Sequence, residues 1–137
     1  MTRILITDDE EGMRGLMTAA LAQRGHEIVE AKSAREALEI HRTQPVDLIV
    51  TDLVMRDMDG TELLRRIRAL SPDLPVIAVS GNRHSTIYLN MAKLLGANRV
   101  FAKPFTLEEF AAGVEQALAG RENPAADGCA DKVVSPR

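Results

Sequence analysis

The sequence predicts an α/β fold in which a five-stranded, doubly wound parallel sheet carries helices on both faces. Five short apolar runs alternate with five segments whose apolar residues recur at helical spacing, which is the pattern of repeated strand–helix units. Several runs are almost continuously apolar, as expected for strands buried on both faces of a parallel sheet. Right-handed crossovers leave few other topologies for such a chain.

The first unit is a strand over residues 3–7 followed by a helix. The run RILIT consists mainly of aliphatic residues typical of a buried strand. Apolar residues then recur at helical spacing to about Arg24, and Gly25 ends the helix. The recurring residues are Met13, Leu16, Met17, Ala20 and Leu21.

The second and third units follow the same order. Residues 26–31 form a weaker strand, and the capping box over residues 33–36 begins the second helix. The third strand is the apolar run that begins at Val46 and ends in Thr-Asp52, and the third helix follows Gly60. This strand and the loop behind it are the stretch around which we expect the chain to be organised.

The last two units complete the sheet. Residues 76–80 are a fourth apolar strand, and a fourth helix is expected from 84 to 95. A short fifth strand over residues 99–102 precedes a second capping box at 106–109. That box begins a fifth helix, which we expect to end at Gly120.

Length and composition indicate one globular domain with a tail. A chain of 137 residues with 45% hydrophobic residues is long enough to bury a core. We assign residues 1–121 to the domain. Residues 122–137 lose helical periodicity and contain Pro, Gly and Asp, which predicts a flexible tail.

Charge and cysteine content exclude several classes of protein. The net charge of −3 gives no basic footprint for nucleic acid. The sequence has neither an apolar run of transmembrane length nor a secretory signal, so we expect a cytoplasmic protein without membrane contact. A single cysteine, Cys129, excludes an internal disulfide framework and a thiolate metal cage.

Polar side chains follow four of the predicted strands. Asp8 and Asp9 come after the first strand, Asp52 ends the third, Ser80 ends the fourth and Lys103 follows the fifth. Because parallel strands present their carboxyl ends at one edge of a sheet, where ligands bind in such folds, we expect these side chains to converge.

This set of side chains suits phosphoryl transfer. On its position alone, Asp52 could ligate a cation, act as a base or attack a phosphoryl group. Clustered carboxylates need a hard cation among them, and oxygen ligands favour Mg²⁺. A lysine and a hydroxyl aimed at the phosphoryl oxygens would supply the remaining stabilisation of charge.

The chain resembles the receiver domain of two-component response regulators over about residues 2–120. The resemblance implies the flavodoxin-like (βα)₅ fold with strand order 2-1-3-4-5. The matching segments are 4–10, 47–55, 58–60, 79–81, 96–97 and 103–105.

The resemblance implies that Asp52 is the phosphoacceptor. The donor would be a histidine kinase or a histidine phosphotransfer protein, and the chain would catalyse only its own phosphorylation and dephosphorylation. Ser80 and Lys103 would hold the phosphoryl oxygens, and a cis bond between Lys103 and Pro104 would aim the lysine inward.

The resemblance also implies a Mg²⁺ site. Asp9 would ligate the ion directly and Asp8 largely through water. Asp52 and the backbone carbonyl of Val54 would be further ligands.

Two positions depart from the family pattern. Arg56 stands where the family usually has proline. Val100 occupies the position of the family's switch aromatic, three residues before Lys103, while the neighbouring Phe101 should point to the other face of its strand and into the core. Conformational signalling could therefore be weak or run through the fourth helix.

We interpret the chain as a stand-alone receiver that signals by binding a partner protein through its fourth helix, fifth strand and fifth helix, because the sequence ends too soon for a DNA-binding output domain. A phosphate sink, a phosphorelay shuttle and a phosphorylation-independent interaction module remain alternatives. A haloacid-dehalogenase-like enzyme is disfavoured, since it needs an aspartate at the position of Val54.

Overall fold

Ten elements alternate along the part of the chain that the computed structural model describes, residues 2–81 and 85–122. The strands are β1 Arg3–Thr7, β2 Glu27–Ala31, β3 Leu48–Asp52, β4 Val76–Ser80 and β5 Arg99–Ala102. The helices are α1 Glu11–Ala22, α2 Ala34–Thr43, α3 Gly60–Leu70, α4 Ser85–Leu94 and α5 Leu107–Glu122.

The strands form one parallel sheet in the order β2-β1-β3-β4-β5. The predicted fold class and strand order are therefore confirmed. In register, Thr7 lies beside Thr51, and Ser80 lies beside Ala102. The ends of β1, β3, β4 and β5 thus meet at one edge of the sheet.

Alternate strand residues pack into two separate layers, since successive side chains point to opposite faces. On one face, Leu5 and Ile49 pack against α2, α3 and α4. On the other, Ile6 and Val50 pack against α1 and α5. The largest fully buried side chains are Phe110, Ile4, Leu5, Ile6, Met17, Leu21, Leu48, Ile49, Leu53, Leu63, Leu64 and Ile67.

Both predicted capping boxes close helix N-termini. At α5, the Thr106 hydroxyl accepts from the Glu109 N–H at 3.0 Å, and the Glu109 carboxylate accepts from the Thr106 N–H at 3.3 Å. At α2, the Ser33 hydroxyl accepts from the Glu36 N–H at 3.2 Å. The Glu36 carboxylate reaches one residue further than the motif requires and accepts from the Lys32 N–H at 2.7 Å.

Helix boundaries differ in detail from the sequence prediction. α1 ends at Ala22, before Gly25, whose φ of +90° is a conformation that glycine adopts readily. α5 continues past Gly120 to Glu122, so Glu122 belongs to the last helix. The predicted start of the fourth helix at His84, and residues 123–137 of the predicted tail with Cys129, lie outside the described residues.

The two faces of β5 separate Val100 from Phe101, as predicted. Val100 packs against the layer that contains α4. Phe101 is partly buried on the α5 side, where its ring centroid lies 5.6 Å from that of Phe105 and 6.1 Å from that of Phe110. Gly113 admits the Phe101 ring, because a Cβ at that position would lie 2.6 Å from the ring.

No helix in the described parts of the chain is both long and apolar enough to span a membrane.

Candidate functional site

Three side chains that the sequence places at strand ends are in contact at the carboxyl edge of the sheet. The ammonium nitrogen of Lys103 lies 3.2 Å from Asp52 Oδ2 and 3.4 Å from Asp8 Oδ2. Asp8 is fully buried, and Asp52 and the Lys103 side chain are nearly so. The predicted convergence of these three residues is therefore present in the structure.

Asp8 is held from both its side chain and its backbone. Its Oδ1 accepts from the Glu10 N–H at 2.9 Å. Its carbonyl accepts from Arg14 Nη1 at 2.8 Å, and Arg14 Nε donates to the Glu30 carboxylate at 2.8 Å. Arg14 is buried, and its guanidinium thereby joins β1 and β2 beside the site.

Sequence reasoning did not identify Arg14. The available signal is its spacing, since it lies three residues before Met17 and seven before Leu21, on the buried face of α1. A charged residue on the apolar face of a helix requires a buried partner. Here the Asp8 carbonyl and Glu30 supply it.

Asp52 ends β3 directly beneath the start of α3. Its Oδ1 accepts from the Val54 N–H at 3.1 Å. Gly60, the first residue of α3, donates its N–H to the Leu53 carbonyl at 3.1 Å. A Cβ at position 60 would overlap the backbone of Asp52 and Leu53, so the close approach of α3 to the end of β3 requires glycine there.

Lys103 reaches the carboxylates across the end of β4. Its N–H donates to the Ser80 carbonyl at 2.8 Å, and the Lys103–Pro104 peptide bond is cis, as predicted. The stem of the side chain lies against Gly81, where an added Cβ would come within 2.7 Å of Lys103 Cδ. Gly81 therefore leaves room for the lysine.

The Ser80 hydroxyl is fully buried, and no group within residues 2–81 and 85–122 forms a hydrogen bond with it. A buried polar group without a partner costs free energy, so native structures rarely retain one without a reason. Because Ser80 ends β4 next to the end of β3, its free hydroxyl is available to a ligand at this edge.

Asp9 lies at the rim of the site. Its Oδ2 accepts from the Arg56 N–H at 3.1 Å, and the Arg56 Nε lies 3.9 Å from the same oxygen. Val54 is 42% exposed. Among residues 2–81 and 85–122, no three acidic, histidine or cysteine side chains lie close enough together to hold a metal ion by themselves.

Burial and charge shift the pKa of two site residues. Burial raises the pKa of the Asp8 carboxyl and the nearby charge of Asp52 adds to this, although the Glu10 N–H and Lys103 act in the opposite direction. Burial alone would lower the pKa of Lys103, but attraction to Asp52 and Asp8 outweighs it and the pKa is raised. Lys103 therefore stays an ammonium ion at neutral pH.

The chain matches the family model described as the response regulator receiver domain over residues 4–115. It belongs to the response regulator receiver family. The predicted family is thereby confirmed.

Relatives of this receiver differ greatly in length. The DNA-binding transcriptional regulator NtrC of Azospirillum brasilense is 37% identical over 90% of this chain, which spans only 25% of NtrC. The response regulator receiver protein CpdR of Brucella abortus is 32% identical over 86% of this chain and 98% of its own length. The solved receiver domain of NtrX from Brucella abortus superposes with a TM-score of 0.81 at 31% identity, covering 85% of this chain and 98% of that one.

Proposed function

We propose that Asp52 accepts a phosphoryl group from a histidine kinase or a histidine phosphotransfer protein in a Mg²⁺-dependent reaction. The observation that carries this proposal is the buried Asp52 carboxylate, which lies 3.2 Å from the Lys103 ammonium in a site that also contains the unpartnered Ser80 hydroxyl. A nucleophile, a cation and a free hydroxyl at one strand edge are the parts that phosphoryl transfer needs.

In the proposed reaction, a carboxylate oxygen of Asp52 attacks the phosphorus of a phosphohistidine. The new P–O bond forms as the P–N bond breaks, and the electron pair of that bond returns to the imidazole nitrogen. Lys103 and Ser80 would hold the oxygens of the transferring group, where negative charge is dispersed. The chain would thus act only on its own carboxylate, during both phosphorylation and later hydrolysis.

The donor set fits Mg²⁺. This ion takes oxygen ligands, commonly one or two carboxylates together with water and phosphate. Asp8 and Asp52 supply two buried carboxylates, Asp9 lies at the rim, and Val54, two residues after Asp52, would add its backbone carbonyl. When bound by these residues, Mg²⁺ would neutralise charge on the transferring phosphoryl group.

Phosphorylation would be communicated by protein–protein interaction through α4, β5 and α5. Along α4, Ile87, Met91 and Leu94 expose 59%, 37% and 87% of their surfaces at helical spacing. A cleft of about 450 Å³ lies alongside, lined in part by Val100 and Phe105. An exposed apolar stripe next to a cleft supports a docking role. The added phosphoryl charge would bias an equilibrium between two conformations of the receiver.

We place this signalling in the cytoplasm.

The test is the intact mass of the chain after incubation with acetyl phosphate and Mg²⁺. We expect the wild type to gain one phosphoryl group and Asp52→Asn to gain none. Asp73→Asn is the matched control, because Asp73 is an exposed aspartate away from the site, and it should be labelled like the wild type. Chelation of Mg²⁺ should abolish labelling.

Two results would contradict the proposal. Labelling of Asp52→Asn would place the acceptor elsewhere. A folded wild type that takes up no phosphoryl group from acetyl phosphate or from a phosphohistidine donor would favour an interaction module that works without phosphorylation.

A further inference from the structure

Arg56 contacts Asp9 in two chemically different ways. Its backbone N–H donates to Asp9 Oδ2 at 3.1 Å, a contact that any residue except proline could make. Its guanidinium places Nε 3.9 Å from the same oxygen while the side chain is 94% exposed. The first contact orients the carboxylate, and the second places a positive charge beside it.

The same carboxylate is a proposed ligand of Mg²⁺. A cation bound to Asp9 would lie within a few ångströms of the guanidinium, and like charges at that separation repel. The Asp9 carboxylate is also attracted to the guanidinium, and it loses part of this attraction when it turns towards the metal. Both effects oppose metal binding, and neither depends on the backbone N–H.

We propose that the Arg56 guanidinium is a tethered cation that competes with Mg²⁺ for the Asp9 carboxylate and thereby sets the Mg²⁺ affinity of the site. This inference rests on the proposed Mg²⁺ site. It makes Arg56 a positioning residue that acts through Asp9, and it raises the Mg²⁺ concentration at which this receiver is half-saturated with the ion.

The molecule contains a closely matched second pair. Arg35 Nε also lies 3.9 Å from an aspartate oxygen, that of Asp57, and the two aspartate side chains are similarly exposed, at 24% for Asp57 and 26% for Asp9. Asp57, however, accepts from the N–H groups of Ala34 and Arg35 at the start of α2. Arg35→Gln therefore changes the net charge of the protein as Arg56→Gln does, but it does so beside an aspartate that caps a helix and is not a proposed metal ligand.

The experiment is calorimetric titration of the phosphate-free protein with MgCl₂ at low salt. Arg56→Gln removes the charge and keeps the backbone N–H. We expect it to bind Mg²⁺ about two- to fivefold more tightly than the wild type, the range of an exposed ion pair. Arg56→Lys keeps the charge and should stay near the wild-type affinity, and Arg35→Gln should change the affinity much less than Arg56→Gln.

Ionic strength provides a second readout. Exposed charges are screened over about 10 Å at 0.1 M salt and about 3 Å at 1 M. The affinity ratio between Arg56→Gln and the wild type should therefore shrink as salt is raised. A purely structural effect of the substitution on the loop would not follow the salt concentration in this way.

Equal affinities for Arg56→Gln and Arg35→Gln would overturn the inference, as would an Arg56→Lys variant that binds as tightly as Arg56→Gln. If this happens while the wild type still binds Mg²⁺ and is labelled by acetyl phosphate, the proposed function stands without it. A wild type that neither binds Mg²⁺ nor accepts a phosphoryl group would remove both.

Discussion

Polar side chains are hydrogen-bonded differently at the two edges of the sheet: the amino edge, where the strands begin, and the carboxyl edge, where they end. At the amino edge, the side-chain Oδ1 of Asn98 accepts from the Val76 N–H at 2.9 Å and from Arg68 Nη2 at 3.1 Å. The His41 ring lies 2.9 Å from the Ser71 hydroxyl. These polar groups satisfy one another, and their hydrogen bonds close the junctions between helices and strands.

At the carboxyl edge, two buried carboxylates share one ammonium: Lys103 is the cation between Asp8 and Asp52. The buried hydroxyls of Ser80 and Thr7, at the ends of β4 and β1, have no hydrogen-bond partner among the described residues. A buried polar group without a partner costs free energy, a cost that the hydrogen-bonded Asn98, Val76 and Arg68 groups at the amino edge do not incur. The difference separates residues that stabilise the fold from residues kept available for a ligand.

The largest effect should come from closing the space between α3 and the carboxyl edge. Gly60→Ala would press a methyl group into the backbone of Asp52 and Leu53. Because backbone atoms can yield only by moving β3 or α3, we expect a loss of about 3 kcal/mol in the free energy of unfolding, measured in urea. Phosphorylation of Asp52 should slow as well, since the acceptor moves with this backbone.

Gly12→Ala is the control for this substitution. Gly12 lies in α1, and an added Cβ there would meet nothing within 4 Å. The exchange should stabilise the protein by about 0.5–1 kcal/mol, because alanine favours the helix. If Gly60→Ala proves no more harmful than Gly12→Ala, the end of β3 is less tightly packed than the structure shows.

One substitution at each edge should show the difference between the edges directly, with smaller effects on the free energy of unfolding than Gly60→Ala. Asn98→Ala leaves the buried Val76 N–H without its acceptor and should cost about 2 kcal/mol of unfolding free energy. Ser80→Ala removes a buried hydroxyl that makes no hydrogen bond in the described structure, so the free energy of unfolding should rise, by about 1 kcal/mol, because that unpaired group no longer has to be buried.

The two substitutions should affect the rate of phosphorylation in the opposite way: Ser80→Ala should slow it and Asn98→Ala should not. Ser80→Ala loses a donor to the phosphoryl oxygens and should slow labelling by acetyl phosphate about 10- to 100-fold. Asn98→Ala should be labelled at a rate near that of the wild type under conditions in which it is folded. Loss of stability in Ser80→Ala without a kinetic effect would instead make that hydroxyl part of the fold.

Strand ends were predictable from the sequence because parallel strands force their carboxyl ends together. That geometry required no knowledge of loops, and it brought Asp8, Asp52 and Lys103 into contact as expected. The Phe101 side chain was predictable for the same reason, since its direction follows from strand alternation alone.

Side chains within the helices were placed less well than side chains at strand ends. Arg14 is buried only because the Asp8 carbonyl and Glu30 on a neighbouring strand accept its hydrogen bonds. Leu16 shares the helical spacing of the α1 core residues, but 53% of its surface is exposed. Periodicity gives the face of a helix and does not give the width of the region that its neighbours cover.

The smallest expected effect concerns His41 at the amino edge. Burial lowers the pKa of this imidazole, and its Nδ1 accepts from the Val46 N–H at 3.1 Å, which requires the neutral ring. The unfolded chain therefore takes up a proton at a higher pH than the folded one does. Stability from this group is fully present above the unfolded pKa of about 6.5 and is lost as the pH falls from there through the folded pKa.

Urea unfolding of the wild type and His41→Gln between pH 7.5 and 5 tests this sign. The difference in unfolding free energy between them should fall with decreasing pH, by at most about 1.4 kcal/mol per pH unit. If the wild-type and His41→Gln curves run parallel, the ring is protonated without cost to the fold, and His41 would not belong to the satisfied network that distinguishes the amino edge from the carboxyl edge.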